Sequence, residues 1–427
     1  MKTRHLAPLC ALGLGVAGMV AGFAPSASAS TDLTIWLMTG EITPNVYNAV
    51  NKAFEAQHPG VKVNVEIQQW SGITTKIDTA LASSNPPDAL EIGNTDVPEY
   101  AASGGLVNLT KVENQVNIKH GKWLGGLQQP AAVNGKVYAI PLLAGDRVVL
   151  YNKQMFKHAG ITAAPTSINQ LLADGKKLAR TFSGRSGFSP LYFPGQYWYA
   201  ALPMIWDHGG NIATYKNGKW VGQLTSSATI AGLKEFKTVQ NDLSSRASRT
   251  VNTNLPDQDA VFAHGKAAMI IGGSWEVNAI EGYNKGLTGH IGEFAFPSYK
   301  GGPAPVFLGG SDIAVAKNSP NAALAEDWVK IMTSDTFQAL MYRKDNLIPN
   351  NGSLIAIGRN SPVMKTFLQA ARSSYGTPAS PGWAIVEGGN QITDLFQQVA
   401  TASSASSIKS IAAKYNSYFN TVLNEKP

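Results

Sequence analysis

Short apolar runs of strand length alternate along this chain with stretches whose apolar residues recur at helical spacing. Leu33-Thr34-Ile35-Trp36-Leu37 reads as a strand. Pro44 suits a first helical turn, and Val46, Val50, Ala53 and Phe54 follow with helical period until His58-Pro59-Gly60 ends the helix. Val61, Val63, Val65 and Ile67 lie on one face of a second strand. A second helix runs from about Gly72 to Ser84, Asn85-Pro86-Pro87 breaks it, and Asp88 to Gly93 is a third strand. Strands and helices of these lengths in alternation predict βαβ units and a mainly parallel sheet.

The loops after these strands carry Glu41, then Trp70, then Asn94 and Asp96. All lie at carboxyl ends of strands, the edge at which open α/β sheets bind ligands. They form a polar rim with one aromatic. Farther on, Gln258 to His264 has the pattern of a short helix stopped by Gly265, and Ala267 to Ile271 that of a strand buried on both faces. Gly272-Gly273 then allows close backbone approach, and Ser274 is placed to cap a helix opening at Trp275. A large flat aromatic therefore also sits at a strand's carboxyl end.

Between these regions, Val137 to Pro141 and Val148 to Asn152 are strand-like runs joined without a helix through Ala144-Gly145-Asp146, as a crossing between domains requires. Phe188, Tyr192, Phe193, Tyr197, Trp198, Tyr199 and Trp206 concentrate aromatic residues; most are expected in a core, with the turn-like Phe193 to Tyr197 set apart. Asn217-Gly218 predicts a hairpin, and Ser244 to Asn254 an exposed loop.

Length then changes the picture: 427 residues exceed the ~250–300 at which single cores stop growing, so two domains are expected. The formal charge is +7, but the basic residues are scattered, which argues against a nucleic-acid groove. Residues 1–29 have the form of a secretory signal, with Lys2, Arg4 and His5 before an apolar run from Leu9 to Phe23 and a small-residue cleavage site at Ala27-Ser28-Ala29. The single cysteine, Cys10, leaves with it, so neither disulfides nor thiol chemistry are expected. No later run approaches the ~20 apolar residues of a membrane span. These features predict an exported protein of the periplasm or cell surface.

Several motifs in order resemble a known family. They are the opening strand; Ala53-Phe54-Glu55 with His58-Pro59-Gly60; Pro87-Asp88-Ala89; Tyr151-Asn152-Lys153 and the helix after it; Phe262 to Met269 with Trp275; and Gly309-Gly310-Ser311-Asp312 with the helix from Ala322 to Met332. The chain is similar to the extracellular solute-binding proteins of ABC importers, in the sugar-binding branch that includes maltose-binding protein. The resemblance implies an α/β, two-lobed periplasmic-binding-protein fold with a ligand cleft between lobes. One lobe would hold residues 30–143 and 311–346, the other 144–308 and 350–427. It also implies a monomer that captures a neutral mono-, di- or oligosaccharide by hinge closure and works with the permease subunits of an importer.

Carried over by position, Trp275 matches an aromatic platform for a sugar ring, Trp383 in Ser380-Pro381-Gly382-Trp383 a second, and Phe193 to Tyr197 a further aromatic contact. Glu41, Asn94, Asp96 and Asp146 fall where polar cleft residues sit, Trp70 belongs to the same rim, and Gly310 to a crossing. The chemistry agrees, since a sugar offers C–H faces to aromatic rings and hydroxyls to carboxylates and amides. A secreted glycosidase is the rival class, but no local motif sets a raised-pKa acid beside a nucleophile. There is no closely spaced histidine pair, no Gly-x-Ser-x-Gly elbow and no P-loop, and no cofactor is expected. An acidic, amide-rich rim is also wrong for an anion.

Overall fold

The computed structural model describes residues 31–70, 72–117, 123–133, 135–358, 360–361 and 364–425. The expected signal at 1–29 lies outside them. The chain opens with strand β1 (Thr31–Met38), helix α1 (Pro44–Gln57), β2 (Val61–Gln68), α2 (Ile73–Leu81), β3 (Ala89–Gly93) and the short α3 (Val97–Ala102). In α1 the residues at helical spacing, Val46, Val50 and Phe54, are buried together with Asn51, and Pro44 occupies the first turn. Beyond its end the ring of His58 stacks on Phe54 at 4.4 Å.

β2 and β3 both pair with β1 in parallel. Two later strands complete this first sheet, β4 (Ala139–Gly145) and β9 (Gly309–Val315), in the order β2-β1-β3-β9-β4. β9 runs antiparallel to both neighbours, so the sheet is mixed where the alternation of elements predicted a mainly parallel one. The second sheet contains β5 (Val148–Asn152), β6 (Ser189–Tyr192), β7 (Ala267–Gly272) and β8 (Ile291–Phe294), in the order β8-β5-β7-β6. Here too one strand, β5, opposes its neighbours. Each sheet carries its own core: Leu33, Ile35, Phe54 and Trp328 belong to the first, Phe193, Phe236, Trp383 and Phe419 to the second.

The lobes meet at three crossing segments that hydrogen-bond to one another. β4 and β9 remain paired up to Gly145 and Gly309, and the amide of Ala144 donates to the carbonyl of Ile348 at 3.1 Å. Gly310 has a φ of +146°, and a Cβ there would collide with the Leu143 carbonyl oxygen, so this crossing requires glycine. The Ser244 to Asn254 segment is not a free loop. Ser244 and Ser248 are buried, and their hydroxyls bond to each other at 2.7 Å while Gln240 donates to Ser248.

Candidate functional site

The carboxyl ends of β1, β2 and β3, the β4–β5 crossing and the amino end of one helix of the second lobe converge on a single cleft. From the first lobe come Glu41, Trp70, Thr95 and Asp96. Glu41 accepts a hydrogen bond from Ser311 at 3.2 Å and faces Glu91, whose carboxylate accepts from the Met38 amide at 2.7 Å. Burial, reinforced by the Glu91 charge, holds the Glu41 carboxyl well above the usual range. Trp70 and Asp96 flank Gly93: a Cβ on that glycine would stand 3.8 Å from the indole and 3.5 Å from the carboxylate. Asn94 is buried and tied by its backbone amide to the carbonyl of Gly310.

Asp146 and Arg147 form the β4–β5 link. Asp146 is fully buried, with no hydrogen-bond partner for either carboxylate oxygen among the described residues, and desolvation pushes its carboxyl well up. The Arg147 guanidinium enters an aromatic enclosure, 4.7 Å from the ring of Tyr199, 5.6 Å from Trp275, 5.9 Å from Tyr197 and 6.0 Å from Phe307. Its Nε donates to the Tyr197 hydroxyl at 2.9 Å.

Trp275 stands at the N-cap of the helix Glu276–Tyr283, one residue later than the Ser274 cap expected from sequence. Ser274 instead donates its hydroxyl hydrogen to the Asn346 carbonyl at 2.6 Å, next to the third crossing. The indole lies against Gly145 and Gly273 and packs on the first lobe's core. The glycine pair thus makes room for neighbouring side chains of the protein itself: Trp275 fills the Cβ space of Gly273, and the Glu276 carboxylate that of Gly272.

Two side chains expected as aromatic contacts, Phe193 and Trp383, lie in the core of the second lobe. Phe193 is fully buried between β6 and the helix Ser227–Leu243, edge-on to Phe236 at 5.3 Å, and presents no face to the cleft. Trp383 also has no exposed face. Its ring packs edge-on against Trp198 at 5.9 Å and Phe419 at 6.3 Å, and its indole N–H donates to Glu387 at 2.9 Å. It is joined to the site through that carboxylate. Glu387 also accepts from the Tyr199 hydroxyl at 2.7 Å and from Thr95 of the opposite lobe, which joins the two walls. Sequence reasoning missed Arg147, Tyr199, Phe307 and Glu387; the charged pair Asp146-Arg147 between two apolar strand runs was the one signal available. An open depression of about 580 Å³ at Asn152, His158 and His264 lies at the other end of the second sheet, away from these groups.

The model of the bacterial extracellular solute-binding protein family matches residues 39–339. The chain belongs to this family. It is 32% identical over 389 residues to the diacetylchitobiose binding protein DasA of Streptomyces coelicolor, covering 88% of this chain and 89% of that protein. It is 26% identical to the multiple sugar-binding protein of Streptococcus mutans, over 86% of this chain and 85% of the relative. Among solved structures, the GacH receptor of Streptomyces glaucescens superposes with a TM-score of 0.78 at 21% identity, covering 94% of this chain and all of that one. That likeness shows the two-lobed periplasmic-binding-protein fold. The relatives are binding proteins, not enzymes, so the glycosidase alternative finds no support among them. The family is extracellular, and among the described residues no helix is long and apolar enough to cross a membrane.

Proposed function

We propose that this protein is an exported receptor that captures a sugar or oligosaccharide between its lobes and delivers it, as a monomer, to the permease subunits of an ABC importer. One observation carries the reading: aromatic rings and carboxylates from both lobes meet where the hydrogen-bonded crossings join the sheets. Rings supply surfaces for C–H faces, and the carboxylates accept from hydroxyls. The names of the two relatives, one for diacetylchitobiose and one for multiple sugars, support a saccharide ligand. We take residues 31–143 with 311–346, and 144–308 with 350–427, as the bodies that close, with Glu41, Trp70, Asp96, Asp146, Arg147, Tyr197, Tyr199, Trp275 and Glu387 at the ligand. Asn94 and Gly310 shape the first lobe's edge through their mutual backbone bond. A thermal-shift screen of mono-, di- and trisaccharides tests the reading. A ligand at about 100 times its Kd adds ~2.7 kcal/mol of stability if it binds only the native state. No shift with any saccharide would refute it.

A further inference from the structure

The helix Trp198–Asp207 starts at the cleft and ends beside a second cavity of the same lobe. A series of rings links the two. Tyr199 lies 5.0 Å from Phe307, Phe307 stacks on Trp206 at 6.4 Å, and Trp206 stacks on Tyr375 at 5.3 Å with 19° between their planes. The cavity, of about 340 Å³, opens between Trp206, Tyr375, the turn at Gly209 to Asn211, Thr214 of the hairpin and the start of the helix Ser227–Leu243. Tyr375 is 48% exposed, so its ring is open to solvent beyond the side that Trp206 covers. Among the described residues no charged side chain lines the cavity; its polar groups are hydroxyls, side-chain amides and an indole N–H. Two of these are buried without a hydrogen-bond partner among the described residues: Trp206 Nε1, which can only donate, and the Thr214 hydroxyl, which can donate and accept. Asn211 uses its side-chain oxygen on the Ile212 amide at 2.8 Å, and Gln223 donates to the Val221 carbonyl at the long distance of 3.5 Å.

We propose that this cavity is a second saccharide site, for a neutral sugar ring laid against Tyr375. A sugar's C–H face covers an aromatic ring, and its hydroxyls both donate and accept, as the mixed set of Trp206, Thr214, Asn211 and Gln223 requires. An ionic ligand would lose water on entering and meet no counter-charge. A purely apolar one would leave the indole N–H and the threonine hydroxyl unpaired. The volume lies at the lower end of the ~300–1,000 Å³ of ligand sites, which suits a small ligand. The inference goes beyond the proposed function and does not rest on it, since none of these side chains belongs to the cleft. The sugar could be a separate molecule or the far end of an oligosaccharide held in the cleft, and the test tells the two apart.

The test follows the Trp206 indole N–H by NMR in protein carrying isotope-labelled tryptophan, with Trp206→Phe identifying the signal. Glucose, N-acetylglucosamine, cellobiose, maltose and diacetylchitobiose are titrated in turn. At least one should move the signal to saturation. Tyr375→Ala should weaken that response about tenfold or more, and Gln223→Ala severalfold, while unchanged melting profiles show both variants folded. Repeating the titration in Trp275→Ala locates the source. An unchanged midpoint there marks a separate sugar molecule; a midpoint that weakens in step with cleft affinity marks the far end of a saccharide held in the cleft. No movement of the Trp206 signal with any of these sugars, or a movement that persists undiminished in Tyr375→Ala, would overturn the proposal. A response at Trp206 with none from the Trp275 indole would leave this site standing and count against the receptor reading instead.

Discussion

The indole of Trp275 rests on the backbone of Gly145: a Cβ at that glycine would stand 3.0 Å from two of its ring atoms. One residue belongs to the second lobe and the other to the strand that leaves the first, so the ring bears directly on a crossing. Adding a methyl group at Gly145 must displace the indole. Gly145→Ala should therefore weaken ligand binding and, as an overpacked contact, cost about 1–3 kcal/mol of stability. Calorimetric titration and a denaturant melt on the one variant measure both; an unchanged affinity would show that the ring's position is immaterial to the ligand.

Trp275→Ala separates the ring's two duties. As a central aromatic anchor its loss should cost at least ~2 kcal/mol of binding, about 30-fold in Kd. Because the ring is only partly buried, the stability loss should fall below the ~3–5 kcal/mol of a fully buried aromatic. A variant that is strongly destabilised yet binds normally would mark Trp275 as packing alone.

Burial raises the Glu276 carboxyl from its ordinary 4.5 to about 7, opposed by the charge of Arg147 and by hydrogen bonds from groups that include Gln258. A carboxyl whose folded pKa is raised binds its proton more tightly when folded. Its contribution to stability is therefore fully present below pH 4.5 and is lost as pH rises towards 7. Glu276→Gln should flatten the fall in melting temperature across that window relative to the parent protein. Parallel curves for the two proteins would contradict it. The neighbouring Asp259 carboxyl, raised by burial from 3.8 to about 10, keeps its proton in the folded state across this window while the unfolded chain has lost it, so it adds a fall in stability of its own to both curves.

Local order was well written in the sequence. The strand–helix alternation from Thr31 to Gly93, the Asn217-Gly218 hairpin and the strand at Ala267–Gly272 follow from periodicity and turn chemistry alone. What sequence could not supply were contacts between distant segments. Trp383 follows a turn-like Ser-Pro-Gly, but Ser380 donates to the Leu423 carbonyl, 43 residues on, and that docking encloses the indole. Phe193 is drawn inward because its amide donates to the Ser244 hydroxyl and its carbonyl accepts from the Gln240 side chain, about 50 residues away. Glu387 lies on an unremarkable helical turn and joins the site only because Thr95 and Tyr199 fold onto it. Apolar period says which face is buried; it does not say which lobe covers it.

The central claim is that the lobes bind a saccharide and return it unchanged. Titration calorimetry with the best ligand of the thermal-shift screen, followed by mass spectrometry of the sugar recovered after long incubation, tests it on one sample. The account predicts saturation at one site per chain and recovery of the intact saccharide. Absence of saturable binding, or steady hydrolysis of the recovered sugar, would contradict it.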